Sequence, residues 1–200
     1  MINKKEKLIL IDCDGVLLDW KFAFQTWMET MHGLVPSDSD QYEIAGAYDM
    51  NPARMEDYII EFNNSASIGF LPPLRDAVYY IKQLHKMHGF QFHMITSLSE
   101  QRHPQQLREQ NVEYLFGKNI VTHYKYLDTG APKDEILKDY QGSECFWIED
   151  KLENAQHGEI FGLDPILIAH DYNNNDTDIP RFWKWKDVYQ HILETLGHDT

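Results

Sequence analysis

A chain of 200 residues is long enough for one sizeable core, or a core with a smaller insert, and chains of this size bury roughly 70% of their unfolded surface. Its 42% hydrophobic and 25% charged residues exclude wholesale disorder. A formal net charge of -14, from 18 Lys plus Arg against 32 Asp plus Glu, opposes binding to a nucleic acid polymer or an anionic membrane surface. No apolar stretch approaches the roughly 20 residues of a membrane helix, and the apolar run after Lys4, Lys5 and Lys7 is too short for a signal peptide, so a cytoplasmic chain is expected.

Leu8-Ile9-Leu10-Ile11 is a short unbroken apolar run that stops at Asp12-Cys13-Asp14-Gly15, the pattern of a strand buried on both faces and ending in a polar turn. The two carboxylates leave the strand end together once the chain turns. Such a pair binds a divalent cation and divides two tasks, one group attacking and the other exchanging a proton. A plain Asp-Gly turn fits the same residues.

Residues 16–70 hold helical patterns and no convincing strand. Trp20, Phe24, Trp27, Met28 and Met31 share one helix face, and Arg54 to Phe62 forms another helix after Asn51-Pro52. Trp20, Phe24, Trp27, Tyr42 and Tyr48 supply either an aromatic core or a stacking wall for a nucleobase. From Met28 to Phe70, Glu29, Asp38, Asp40, Glu43, Asp49, Glu56, Asp57 and Glu61 stand against the single basic residue Arg54. Such a segment disfavours substrates with several phosphates, leaving Arg54 or His32 to meet a second anion.

From about residue 70 strand and helix alternate. Pro73 to Met87 spaces Val78, Ile81 and Leu84 as a helix does. Phe90 to Ile95 predicts a strand closing at Thr96-Ser97, where a hydroxyl is placed to donate to a phosphoryl oxygen. Ser97 with Glu100 also makes a capping box for the next helix, which leaves Thr96 for the phosphate. Ile120-Val121-Thr122 is a weaker strand. Pro132 opens a helix to Tyr140 and puts Lys133 in its first turn, against the helix dipole at about 0.3–1 kcal/mol. Asp134 and Glu135 suit a solvated lysine, but a lysine needed to hold an anion explains the placement better.

Cys145 to Ile148 ends at Glu149-Asp150, adjacent carboxylates that repel unless a cation accommodates them. A helix cap is the plainer role for Asp150. Pro165 to Ala169 ends at His170-Asp171, before an exposed polar loop from Asn173 to Asp178. This rhythm favours an α/β domain with a mainly parallel sheet and ligands at the carboxyl ends of its strands. If Asp12 and Asp150 share one end of adjacent strands, Cys145 sits about five residues back from that end, at about 3.3 Å per residue, and cannot reach Cys13 for a disulfide. Two buried reduced thiols are expected. The histidines are scattered, and only His170 falls near the site edge.

An acid pair, a hydroxyl, a lysine and a second acid pair therefore follow in order. In these residues the chain resembles the haloacid dehalogenase superfamily of phosphatases, whose four motifs match Asp12-Cys13-Asp14-Gly15, Thr96, Lys133 and Glu149-Asp150 over nearly the whole chain. The resemblance implies a Rossmann-like three-layer α/β core with a central parallel sheet, formed by residues 1–15 and 71–200. Its first-motif strand lies in the middle, flanked by the second- and fourth-motif strands, and residues 16–70 form a small helical cap inserted after the first strand. It implies Asp12 as the nucleophile that forms an aspartyl-phosphate, and Asp14 as general acid and then base. Thr96, Ser97 and Lys133 would hold phosphoryl oxygens, and Mg2+ would be bound by the Asp12 carboxylate, the Asp14 backbone carbonyl and the Asp150 carboxylate.

Two departures stand out: the fourth motif more often begins Gly-Asp or Asp-Asp where this chain has Glu149, and Asn154 stands where some members carry a later acid. Asp14 favours a phosphatase over a dehalogenase, because breaking a carbon–halogen bond needs no proton for the leaving group. The phosphonate-cleaving branch uses a cap lysine, and no lysine lies between Lys21 and Lys82. The early cap and the run Phe70-Leu71-Pro72-Pro73-Leu74 are similar to small 5′-nucleotidases of the superfamily. The expected substrate is a small phosphorylated metabolite, with a nucleoside monophosphate leading. A phosphotransferase or mutase, or a catalytically inactive binding protein of the same fold, stays as an alternative.

Overall fold

The computed structural model describes residues 7–37 and 44–197. Lys4, Lys5, Asp38, Asp40, Tyr42 and Glu43, named above, lie outside the described residues. Four consecutive aliphatic side chains offer no face suited to water, and β1 (Leu8–Ile11) is buried along its whole length. Ile9 and Ile11 enter one apolar cluster, Leu8 and Leu10 another, so the strand carries a core on each side. It lies inside a six-stranded sheet with β2 (Gln91–Ser97), β3 (Val121–Leu127), β4 (Phe146–Glu149), β5 (Asp164–Ile168) and β6 (Arg181–Phe182), ordered β3-β2-β1-β4-β5-β6. All five neighbouring pairs are parallel.

One face of the sheet is covered by α4 (Ala77–His88), α5 (Arg102–Phe116) and α8 (Trp185–Thr195), through Ile81 and Leu84, Val112 and Phe116, and Val188 and Ile192. On the other, Leu137 of α6 (Asp134–Leu137) packs with Trp147, and Ala155 of α7 (Leu152–Ile160) packs with Leu167. Helix, sheet, helix is thus a three-layer α/β arrangement. No helix among the described residues is long and apolar enough to cross a membrane.

Between β1 and α4 the chain forms α1 (Trp20–His32), α2 (Ile44–Ala47), α3 (Pro52–Asn64) and a 3-10 turn, Ala66–Phe70. Asp19 starts α1 by accepting from Phe22 N at 3.1 Å, and Asn51 caps α3 by accepting from Ala53 N at 2.9 Å, with Pro52 in the first turn. Phe24, Trp27, Met28 and Phe62 join the same cluster as the α4 face of the sheet. Met31 does not: it is 67% exposed, and His32 packs there instead, its ring 4.6 Å from Trp27 and 4.7 Å from Tyr58.

Several sequence expectations are corrected. β3 runs seven residues, well past Thr122, because this edge strand carries exposed Thr122, His123 and Lys125 and so lacks an unbroken apolar run. The helix expected from Pro132 to Tyr140 is one α turn and a 3-10 turn, Lys138–Tyr140, with Lys133 at its cap. The Ser97–Glu100 capping box does not form: α5 begins at Arg102, and the Ser97 hydroxyl donates to the Ala131 carbonyl at 2.8 Å. Asn173, expected in an exposed loop, is buried. Cys13 and Cys145 are both buried and form no disulfide, as expected.

Gly158 lets α7 lie directly on β4, because a Cβ there would run into Trp147 Cδ1 of a fully buried indole. Gly158→Ala should destabilise the protein by about 1–3 kcal/mol despite the better helix propensity of alanine, as measured by urea unfolding.

Candidate active site

Parallel strands bring their carboxyl ends to one edge of the sheet. Asp12 follows β1, Thr96 and Ser97 finish β2, and Glu149 ends β4 with Asp150 next. The Asp12 amide donates to the Ile148 carbonyl at 2.9 Å, so the first acid stays in the β4 ladder. The chain then turns tightly: the Leu17 and Leu18 amides donate to the Cys13 carbonyl at 2.8 and 3.0 Å, and Gly15 takes a left-handed φ of 73°.

Lys133 reaches the same point from the loop before α6. It is 2% exposed, with Nζ 2.8 Å from Asp12 Oδ2, 2.6 Å from Glu149 Oε1, and 5.3 Å from the Trp147 ring centroid. Glu149, at 0% exposure, is saturated with donors. Its Oε2 accepts from the Asp150 and Lys151 amides at 2.6 and 2.7 Å, and its Oε1 accepts from Lys133 and, at 2.7 Å, from Asn154 Nδ2. The two departures from the family pattern are therefore bonded to each other.

Burial works against the Lys133 charge, but the Asp12 and Glu149 carboxylates overcome it and hold its pKa above the lysine range. Burial likewise opposes Glu149 ionisation, and Lys133 with the Lys151 and Asp150 donors prevails, holding its pKa below normal. For Asp12 burial wins over Lys133, helped by the Glu149 charge, and its pKa is pushed up from 3.8 to about 6. Asp150 is raised well above its ordinary value by burial and by Glu149 and Asp12.

Ligand atoms of Asp12, Glu149 and Asp150 lie within 4.8 Å of one another. Three buried carboxylates around one ammonium leave two negative charges without a counter-charge, and an all-oxygen donor set suits a hard divalent cation. With Glu149 already bonded by four donors, Asp12 and Asp150 have the capacity left to hold it.

Asp14 faces elsewhere. Its Oδ1 is paired with Arg108 Nη1 from α5, the side chain being 23% exposed and lining the cleft. Arg108 itself is fully buried and also donates to Cys13 Sγ at 3.0 Å. Burial pushes the Cys13 thiol up to about 12 against the opposing pull of Arg108.

A cleft of about 760 Å³ opens over these groups, lined by Asp12, Asp14, Thr96, Ser97, Lys133 and Asp150. The helices between β1 and α4 contribute Trp20, Ile44, Ile59, Glu56 and Asn63 to it. Of the aromatics proposed as a stacking wall, Phe24 and Trp27 are buried in the core, Tyr48 packs edge-on against Phe24, and Trp20 lines the cleft. Arg54 is exposed beside Tyr58 and is not among the cleft residues, nor is His32. The cations at the cleft are Lys21, Arg75, Lys133 and Lys151. Sequence reasoning missed Asn63, Arg75, Arg108 and Tyr172. Asn63 was legible only as one polar position on a helix, yet it accepts from Trp20 Nε1 at 3.0 Å and donates to Thr129 Oγ1 at 3.2 Å, pinning α3 over the site.

No protein-family model and no curated protein matches the chain. Solved structures do. A predicted phosphatase from Clostridium acetobutylicum superposes with TM-score 0.64 at 12% identity, over 94% of this chain and 98% of that one. A haloacid dehalogenase-like family hydrolase from Streptococcus pneumoniae gives 0.63 at 14%, over 92% and 97%. A predicted phosphoglycolate phosphatase from Haemophilus somnus gives 0.60 at 12%, over 92% and 97%. The chain has the haloacid dehalogenase-like fold.

Because Asp12 titrates near 6 in the fold against 3.8 unfolded, its contribution to stability is fully present below 3.8 and is lost as pH rises through about 6. In chelator, the Tm difference between the native chain and Asp12→Asn should therefore shrink and then favour the variant across that interval, as read by scanning calorimetry. A difference that does not change with pH would return Asp12 to an ordinary carboxyl.

Proposed function

We propose that the chain is a magnesium-dependent phosphomonoester hydrolase working through an aspartyl-phosphate on Asp12. The observation that carries this reading is the placement of Asp12 at the floor of the cleft, between the Lys133 ammonium and the Asp150 carboxylate. Phosphoryl transfer is catalysed mainly by positioning and by neutralising charge on the transferred group. The carboxylates of Asp12 and Asp150 and the Asp14 carbonyl would hold Mg2+, which would supply positive charge to the phosphoryl oxygens and favour the ionised form of Asp12.

An Asp12 carboxylate oxygen attacks phosphorus, and the bond to the ester oxygen breaks, its electron pair leaving with that oxygen. Asp14 gives the departing oxygen its proton, then takes one from water as the water oxygen attacks phosphorus and frees Asp12. Lys133 and the Thr96 hydroxyl at the end of β2 meet the phosphoryl oxygens, while the Ser97 hydroxyl stays bonded to the Ala131 carbonyl. Arg108 keeps the Asp14 side chain in one orientation at the cleft wall. A leaving group that needs a proton gives Asp14 its task, which supports phosphate-ester cleavage over dehalogenation.

The helices of residues 16–70 act as the cap. Trp20, Ile44 and Ile59 form an apolar wall facing the leaving group, and Glu56 repels a second phosphate there. A phosphomonoester with a neutral or aromatic remainder fits, and a nucleoside monophosphate is the leading member of that class.

Phosphate release from a panel of phosphomonoesters should require Mg2+, stop with excess chelator, and fall at least about a thousandfold in kcat for Asp12→Asn. Transfer to an alcohol acceptor in place of release would make the chain a phosphotransferase. Absence of both, in a folded chain that binds Mg2+, would overturn the enzymatic reading.

A further inference from the structure

The segment after β5, residues 169–173, contains no residue of the four motifs, yet it closes on the carboxylate cluster. The Tyr172 hydroxyl donates to Asp150 Oδ2. Asn173 Nδ2 donates to the Asp150 and Ile168 carbonyls, both at 2.7 Å, tying the end of β5 to the residue after β4. The His170 ring stacks on Tyr172 at 4.7 Å and 7°, with Nε2 2.6 Å from the Gly15 carbonyl.

Arg75 braces this segment from the other side. Its Nη2 donates to the Ala169 carbonyl at 2.9 Å and lies 3.4 Å from His170 Nδ1, while its guanidinium sits 3.5 Å over the Trp183 ring. A guanidinium only donates, so Nδ1 accepts and Nε2 carries the proton given to Gly15 O. There is no slack in the assembly. A Cβ on Gly15 would collide with Asp150 Oδ2 and lie 2.9 Å from the Tyr172 hydroxyl.

We propose that Tyr172 is a positioning residue for the divalent cation, fixing Asp150 by one oxygen so that the other is presented to the ion beside Asp12. This rests on the metal reading given above. Glu149 is held by four donors of its own, so the aim of the site depends on Asp150, and the phenol hydroxyl donates to one of its oxygens. The aromatic ring, stacked on His170, gives the hydroxyl a rigid mount. Outer hydrogen-bond partners of metal ligands work in this way, and losing one weakens metal binding about 10–100-fold.

The test is Mg2+ binding by isothermal titration calorimetry to the native chain, Tyr172→Phe and Asp150→Asn, with folding checked by circular dichroism. The native chain should bind, Asp150→Asn should not, and Tyr172→Phe should bind about tenfold or more weakly while keeping the ring stack. Equal or tighter binding by Tyr172→Phe overturns the proposal, the second outcome meaning that the hydroxyl competes with the ion for Oδ2. Failure of the native chain to bind Mg2+ overturns the metal reading and this one with it. A second measurement needs no Tyr172 variant: Mg2+ added to the native chain should produce a near-UV tyrosine difference band that Asp150→Asn lacks, and its absence during saturable binding overturns the proposal.

Discussion

A single ammonium, Lys133, holds the carboxyl ends of β1 and β4 together. An isolated buried charge is untenable, and Lys133 is kept ionised because Asp12 and Glu149 stand within 2.8 and 2.6 Å on its two sides. The same arithmetic works in reverse. Three buried carboxylates cluster where one ammonium pairs with two of them, Asp12 and Glu149, so the cluster is short of positive charge, and the shortage falls on Asp12 and Asp150, the two acids whose pKa values burial drives upward. The proposed nucleophile and the proposed cation site are thus two consequences of one imbalance.

Glu149 meets its share of that competition with donors beyond Lys133. Its side chain turns back to accept both amides that precede α7 and the Asn154 amide group, which are donors that would otherwise be orphaned at a buried helix start. The carboxylate is spent as a cap and as a counter-ion. What looked like an irregular fourth motif is a local exchange: an acid that reaches the backbone, and an amide at position 154 that supports it.

The order of strands and helices was readable from unbroken apolar runs, because a strand buried on both faces leaves that trace, as in Leu8–Ile11. Edge strand β3 left none, since exposed polar side chains interrupt it at Thr122, His123 and Lys125. At the site, Asp12 and Asp150 were legible from short-range context at strand ends, and Lys133 from its place after Pro132 at a helix start. Arg108 and Tyr172 were not, because each acts across the fold, 94 residues from Asp14 and 22 from Asp150 respectively, and nothing in their neighbours marks them. A charged residue in the middle of α5 reads as solvated until the tertiary structure closes over it. Asn173 was misjudged for a related cause: a polar run looks exposed whether or not one member turns inward to bond two carbonyls.

Cys13 lies between the two acids of the first motif, where a nucleophilic thiol would rival the carboxylate beside it. It does not, for reasons of access and protonation together: the sulfur is fully buried, accepts from Arg108, and holds its proton to about pH 12. Alkylating agents and peroxide attack the thiolate, so the fold shields this sulfur from them. Sulfur chemistry at this position would then be a signature of opened molecules, and a thiol reagent serves as a count of unfolding events more readily than as an inhibitor.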